Sequence, residues 1–256
     1  MNIVILAGGF GTRLAEETDV RPKPMVEIGG YPILWHLMKL CADQDFSKFY
    51  IALGYKGDVI KRYFLDHYTL NGSMRVNLSS GAVERYDQHS ENWEVYLIDT
   101  GISTLTGGRI KRLEPFLKNG PFIVTYGDGL ADINLRALLE QHRYNKCLAT
   151  ITAVRPPARF GELMFEGDKI AKFSEKPQTG EGWINGGFIV FEPQVFAYMK
   201  GDQDILESDI LETLALRGEL GAYRHEGFWQ CMDTLRDKKK LERLWTAGEA
   251  PWKVWK

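Results

Sequence analysis

Asn2-Ile-Val-Ile-Leu-Ala-Gly-Gly-Phe-Gly-Thr-Arg-Leu14 is an apolar run that discharges into a glycine-rich turn. Ile3 to Ala7 is short and rich in β-branched residues, the composition of a strand buried on both faces of a parallel sheet. Gly8, Gly9 and Gly11 follow directly, with Thr12 and Arg13 behind them. Glycine lets the backbone turn tightly and brings its amides close to an anion. Arg13, and Lys23 in Arg21-Pro-Lys-Pro-Met-Val-Glu27, add cations near that turn. Two readings stand open here. The turn is a polyphosphate cradle, or it only lets the first strand reverse while its cations sit in solvent.

Working outward, Ile33, Leu34, Leu37, Met38 and Leu40 recur at helical spacing, which predicts a helix packed on the sheet. Phe49 to Leu53 predicts a second buried strand, and Val59 to Tyr68 a helix with Ile60, Tyr63 and Phe64 on one face. This βαβα rhythm predicts a mostly parallel sheet with helices on both sides. The rhythm breaks over 72–98, where alternating segments flank a polar stretch, and an antiparallel excursion or arm is expected. Asp99 to Arg109 is dense in small and hydroxylated residues, the composition of a flexible loop passing close to a ligand. The sheet resumes with Pro121 to Tyr126, ended by Gly127-Asp128-Gly129, and Asp132 or Asn134 is placed to cap a helix reaching about Tyr144. Cys147 to Val154 and Trp183 to Phe191 read as strands, and Met164 to Phe173 as a hairpin turning at Gly167-Asp168. A helix from about Asp204 is expected to end at Gly218. Thr234 with Asp237 forms a capping pair for a last helix, whose apolar face is Leu241, Leu244 and Trp245. No repeat or linker divides the chain, so residues 1–256 are read as one α/β domain, with 72–98 an insertion and 234–256 a C-terminal helix and tail.

Composition excludes several classes. The formal charge is −2 with acids and bases interspersed, so there is no basic excess for nucleic acid and no polybasic segment for an anionic membrane. The N-terminal apolar run lacks a charged segment ahead of it and is far too short to span a bilayer. Cys41, Cys147 and Cys231 are widely spaced and form no CxxC pair, which points to a reducing, cytoplasmic setting.

Phosphate-binding motifs can be tested against the glycine turn. A P-loop needs a lysine after its second glycine, and Gly8 to Arg13 has none. A dinucleotide fingerprint needs a third glycine where Leu14 stands, and an acid after the second strand where Leu53-Gly54 stands. A third pattern fits. Leu6-Ala-Gly-Gly-x-Gly-Thr-Arg-Leu14 followed by Lys23-Pro-Met25 resembles the nucleotide-binding element of the sugar nucleotidyltransferases. Tyr126-Gly-Asp-Gly129, Glu175-Lys-Pro177, Asn185-Gly-Gly187 and Trp229-Gln-Cys-Met-Asp-Thr234 resemble that family's later motifs, in the family's order.

The resemblance implies a three-layer α/β/α, Rossmann-like fold with a mostly parallel mixed sheet. It implies a reaction in which a sugar-phosphate oxygen attacks the α-phosphorus of a nucleoside triphosphate and pyrophosphate leaves. Such chemistry needs in-line positioning and charge stabilisation rather than a covalent enzyme nucleophile. Leu6, Ala7, Gly8, Gly9, Gly11, Thr12, Arg13 and Lys23 are then expected around the nucleotide, with Arg13 and Lys23 on its phosphates. Asp128 and Asp233 are expected to hold Mg²⁺, which suits hard oxygen ligands. Glu175, Lys176, Asn185 and Gly186 are expected around the sugar phosphate.

In place of the base-binding stretch of the thymidylyl- and uridylyltransferases stands Asp99-Thr-Gly-Ile-Ser-Thr-Leu-Thr-Gly-Gly-Arg109. That segment, Arg21 to Gly30 and the ending Glu249-Ala-Pro-Trp-Lys-Val-Trp255 resemble the cytidylyltransferase branch of the family. The resemblance implies CTP, glucose 1-phosphate and CDP-glucose, on a route to bacterial surface deoxysugars, and makes Thr104 and Arg109 nucleotide contacts. It also implies a homo-oligomer, with a hexamer among the counts it allows, and a polar arm near 80–93 that reaches a neighbouring subunit. Two rivals stay open: the same chemistry with CTP on another phosphate acceptor, and an inactive relative that senses nucleotides.

Overall fold

The structure is a computed structural model, and it describes residues 1–86, 91–156, 162–166, 169–174 and 182–255. Its frame is a seven-stranded sheet. In chain order the strands are β1 (Asn2–Ala7), β2 (Lys48–Leu53), β3 (Glu94–Asp99), β4 (Phe122–Tyr126), β5 (Ala149–Val154), β6 (Ile184–Phe191) and β7 (Leu220–His225). Their spatial order is β7-β5-β6-β4-β1-β2-β3. β1 lies parallel to both β2 and β4, β2 to β3, and β5 to β7. β6 alone runs against its neighbours, β4 and β5. The expected mostly parallel mixed sheet is present.

Alternation along β1 builds a core on each side. Ile3, Ile5 and Ala7 face one buried cluster and Val4 and Leu6 the other. This is the period of two of a strand buried on both faces. Helices α1 (Ile33–Ala42), α2 (Gly57–Leu70), α4 (Leu135–Asn145) and α5 (Leu235–Thr246) contribute to the first cluster; α3 (Thr106–Arg112) contributes Ile110 to the second. Asn134 caps α4, its side chain accepting from the Ala137 amide, and Thr234 with Asp237 closes a capping box on α5. Gly218 ends its helical segment at φ 73°, a left-handed turn that favours glycine.

Two expectations need correction. The excursion over 72–98 is shorter than expected: among the described residues only Ser73–Val76 and Val83–Tyr86 pair as an exposed antiparallel hairpin. Glu94–Asp99 instead joins the main sheet parallel to β2, pairing Lys48 with Glu94 through Leu53 with Asp99. An alternating strand at a sheet edge carries the same sequence pattern as a hairpin arm. The second correction concerns the small-residue segment, whose last part is the helix α3 rather than loop. Gly107 and Gly108 are buried in it because other backbone occupies the space of their side chains, a tertiary constraint that outweighs glycine's poor helix propensity. The strands Glu162–Glu166 and Lys169–Ser174 pair as the expected hairpin, while its turn at Gly167-Asp168 lies outside the described residues.

Candidate functional site

The strand order reverses beside β1. The chain winds from β1 through β2 to β3 on one side, then crosses to β4 on the other. Loops leaving the carboxyl ends of β1 and β4 therefore diverge, and open α/β sheets leave a crevice there. A cavity of about 410 Å³ occupies that place. Leu6, Ala7, Gly8, Gly9, Gly11, Thr12, Lys23, Thr104, Arg109 and Asp128 line it, so residues expected at the nucleotide from four separate stretches share one wall. Arg13 lies in the helical turn Thr12–Leu14, but its side chain is outside the described residues, as are Glu175 and Lys176 altogether.

The glycine turn is held from beneath by Arg109. Its Nη2 donates to the carbonyls of Gly8 (3.0 Å) and Ile102 (3.3 Å), and its Nη1 to those of Leu53 (3.0 Å) and Gly101 (2.7 Å) and to Thr100 Oγ1 (2.7 Å). The side chain is 4% exposed. Burial, then the neighbouring Arg112, pulls its pKa down from the usual arginine value, yet arginine stays charged in proteins. A Cβ on Gly8 would fall 2.2 Å from the guanidinium carbon, so glycine there is what lets Arg109 reach. Arg109, expected from the resemblance to be a nucleotide contact, sits in the cavity wall with both Nη atoms bonded across the two loops.

The floor of the cavity is ionic. Lys23 is carried by a helical turn, Lys23–Met25, bracketed by Pro22 and Pro24. Its Nζ lies 2.6 Å from Asp128 Oδ2 and 2.5 Å from Asp233 Oδ1. Burial pulls the lysine pKa down, but the charge of Asp128 and hydrogen bonds to both carboxylates outweigh it, and the net direction is up. The carboxylates meet because Trp229–Cys231 pairs antiparallel with Gly129–Ala131, setting Cys231 opposite Gly129. The Met232 amide then donates to the Asp128 carbonyl at 2.8 Å. Asp233 follows and leads into the capped start of α5, its amide donating to Asp237 at 3.2 Å.

Ligand atoms of Asp128, Cys231 and Asp233 all lie within 4.8 Å of one another. The Lys23 ammonium already occupies a cation position between the two carboxylates, so this pocket of charge is built for a positive ion. Burial first, then the charge of Asp128, pushes the Cys231 thiol up, keeping it protonated beside the carboxylates. The available donors are hard oxygens, which fit Mg²⁺.

On the far side of β4, Asn185 begins a polar chain. Its Oδ1 accepts from the Gly187 amide (3.0 Å), and its Nδ2 donates to the Tyr126 hydroxyl (3.1 Å). Tyr126 donates onward to Glu207. The Gly186 carbonyl accepts from Trp229 Nε1 at 2.8 Å. Tyr126 and Thr106, which the sequence reading does not place at the site, also line the cavity, and Glu207 bonds to both. Tyr126 belongs to the Tyr126-Gly-Asp-Gly129 motif, whereas the sequence around Glu207 carries no motif.

A sequence model of the nucleotidyl transferase family matches residues 2–234. The chain belongs to that family. It is 48% identical over its whole length to the glucose-1-phosphate cytidylyltransferase of Salmonella typhi, and covers all of that protein. It is 42% identical to a probable glucose-1-phosphate cytidylyltransferase of Bacillus subtilis, again with both chains fully covered. The structure of HddC from Yersinia pseudotuberculosis, complexed with GMP-PN, superposes with a TM-score of 0.70 at 26% identity, across 95% of this chain and 99% of that one. Both the nucleotidyl transferase family and its cytidylyltransferase branch, read from the motifs, are borne out. Among the described residues no helix is long and apolar enough to cross a membrane.

Proposed function

We propose that this nucleotidyl transferase moves CMP from CTP to glucose 1-phosphate, giving CDP-glucose and pyrophosphate. The observation that carries the reaction class is Lys23 seated between Asp128 and Asp233 on the floor of the cavity. The substrates follow from full-length likeness to relatives named for them. The attacking sugar-phosphate oxygen is already an anion, so bond formation at the α-phosphorus and departure of pyrophosphate require no general base. What the protein must supply is positive charge, a fixed line of attack and exclusion of water.

The glycine turn presents its backbone to the triphosphate, and the Lys23 ammonium beside it supplies positive charge for phosphate oxygens. Asp128 and Asp233 would hold Mg²⁺. A bound Mg²⁺ neutralises charge on the triphosphate oxygens. Arg13 joins the phosphates, Thr104 the nucleotide, and Glu175, Lys176, Asn185 and Gly186 the acceptor. A homo-oligomer belongs to the same reading. Leu65, Tyr68 and Leu70 on α2, and Met74, Val76, Leu78 and Val83 on the hairpin, are exposed apolar residues. Arg85 lies over the Tyr68 ring at 5.6 Å, joining the two elements into one surface. A cytoplasmic enzyme fits the three free cysteines.

The test crosses CTP, UTP, dTTP and ATP with a panel of sugar 1-phosphates and follows pyrophosphate release with and without Mg²⁺. Release should require CTP, glucose 1-phosphate and the metal together. Release with UTP but not CTP would overturn the base, another preferred phosphate the acceptor, and no release under any condition the enzyme itself. Asp128→Asn should cut turnover by about a hundredfold or more and weaken Mn²⁺ binding followed by electron paramagnetic resonance.

A further inference from the structure

The hydrogen-bond chain that starts at Asn185 does not stop at Tyr126. Glu207 takes the Tyr126 hydroxyl on Oε1, and its other oxygen, Oε2, accepts from Thr106 Oγ1 at 3.2 Å. Thr106 in turn accepts from the Leu206 amide at 2.8 Å. Thr106 is the first residue of α3, the helix that carries Arg109, and both Thr106 and Tyr126 line the nucleotide cavity. Glu207 stands in a widened, π-type helical turn, Leu206–Leu211, a departure from regular helix that recurs at functional sites.

The direction of every bond in this chain is fixed by chemistry. A backbone amide can only donate, so Asn185 meets Gly187 with its oxygen. Its nitrogen must then be the donor to Tyr126. The Tyr126 oxygen, having accepted, gives its own proton to a carboxylate, which can only accept. The phenol keeps that proton: burial, then the hydrogen bond to Glu207, pushes it up from the usual tyrosine range. After these two bonds Asn185 keeps a second N–H on Nδ2 and a second lone pair on Oδ1. A sugar hydroxyl needs that combination, since it both donates and accepts.

We infer that Tyr126 and Glu207 are positioning residues that orient Asn185 toward the acceptor's hydroxyls and tie it, through Thr106, to the nucleotide helix. This rests on the proposed reaction and adds to it a source of acceptor selectivity. The Gly187 amide settles which end of the Asn185 amide is oxygen, and the bond to Tyr126 is a second anchor that fixes its angle; without it the side chain is pinned at one atom only and discriminates less between hydroxyl configurations. A site that places hydrogen-bonding groups discriminates between substrates far better than one that only fits a shape.

Steady-state kinetics with CTP and glucose, galactose or mannose 1-phosphate test it, the last two being epimers at single hydroxyls. Tyr126→Phe deletes the hydroxyl and keeps the ring. It should raise KM for glucose 1-phosphate and lower the preference over both epimers by about tenfold. Glu207→Ala should lower the preference similarly and raise KM for CTP as well, because Thr106 is released too. Glu207→Gln keeps an acceptor for Tyr126 and should recover most of the preference. A purely structural role would lower kcat for all acceptors alike and leave the preference intact; that outcome in Tyr126→Phe overturns the tie alone. Wild-type protein that forms no CDP-glucose overturns the proposed function, and the tie with it.

Discussion

Gly9 and Gly108 both belong to glycine-rich segments beside the cavity, yet a methyl group on each would meet opposite surroundings. At Gly9 nothing lies within 4 Å of the place a Cβ would take, and the residue lines the cavity. At Gly108 the same atom would fall 2.5 Å from the Asp202 carbonyl oxygen and 2.6 Å from its Cα. In the first segment the missing side chain leaves room that a ligand can enter. In the second it is filled by the chain itself, with Leu105 donating to Asp202, and Gly107 and Gly108 to the Asp204 carbonyl. Glycine content alone therefore does not mark a ligand loop; what decides is whether protein or open space faces the glycine. The two segments are also one unit, because Arg109 grows from the packed one and holds the open one.

That connection gives the largest expected effect. Arg109→Ala would strip the carbonyls of Gly8, Gly101 and Leu53 of a buried partner and leave a void beneath both segments. A loss of about 3 kcal/mol in stability is expected, measured by urea denaturation, with KM for CTP raised tenfold or more. Arg109→Lys should restore little, since one ammonium cannot replace two nitrogens reaching opposite loops. An alanine variant with the wild-type denaturation midpoint would mean the segments stand independently.

Gly108→Ala comes next and tests the packed segment alone. The clash is with backbone, which cannot swing aside as a side-chain tip can, so α3 or the 202–204 turn must shift. Overpacking of this kind costs about 2 kcal/mol. The thermal midpoint should fall while Mn²⁺ affinity at Asp128 and Asp233 holds, since neither carboxylate is carried by α3. An alanine variant as stable as wild type would show that the turn yields, and the contrast with Gly9 would lose its physical basis.

What the sequence made legible follows the same division. β1 and its turn could be read because a short β-branched run ending in glycine has few other uses, and the strand pairs as expected. Asp128 and Asp233 could be matched to motifs, but not the way they meet, which depends on the Met232 amide and the antiparallel pairing of two three-residue strands. Past Leu105 the 99–109 segment does not read as helix because local propensity counts each glycine against it, while the helix is fixed by Asp202 and Asp204, about a hundred residues away in sequence. Glu94–Asp99 failed for a related reason: alternation reports burial on one face and says nothing of strand direction. Glu207 left no local signal, since its role depends on two residues brought to it from β4 and α3.

Gly9→Ala should have the smallest effect on stability and is the sharpest test of the open segment. With no atom near the added methyl group and no left-handed φ at this position, the folded state accepts it, and stability should stay within about 0.5 kcal/mol of wild type. The methyl group would nevertheless project where a phosphate approaches the backbone amides, so KM for CTP should rise severalfold while KM for glucose 1-phosphate stays put. A loss of stability without a change in KM would place Gly9 with Gly108, as a packing residue. A change in KM alone separates them: the same residue type then serves the nucleotide at one end of the Arg109 tie and the protein's own backbone at the other.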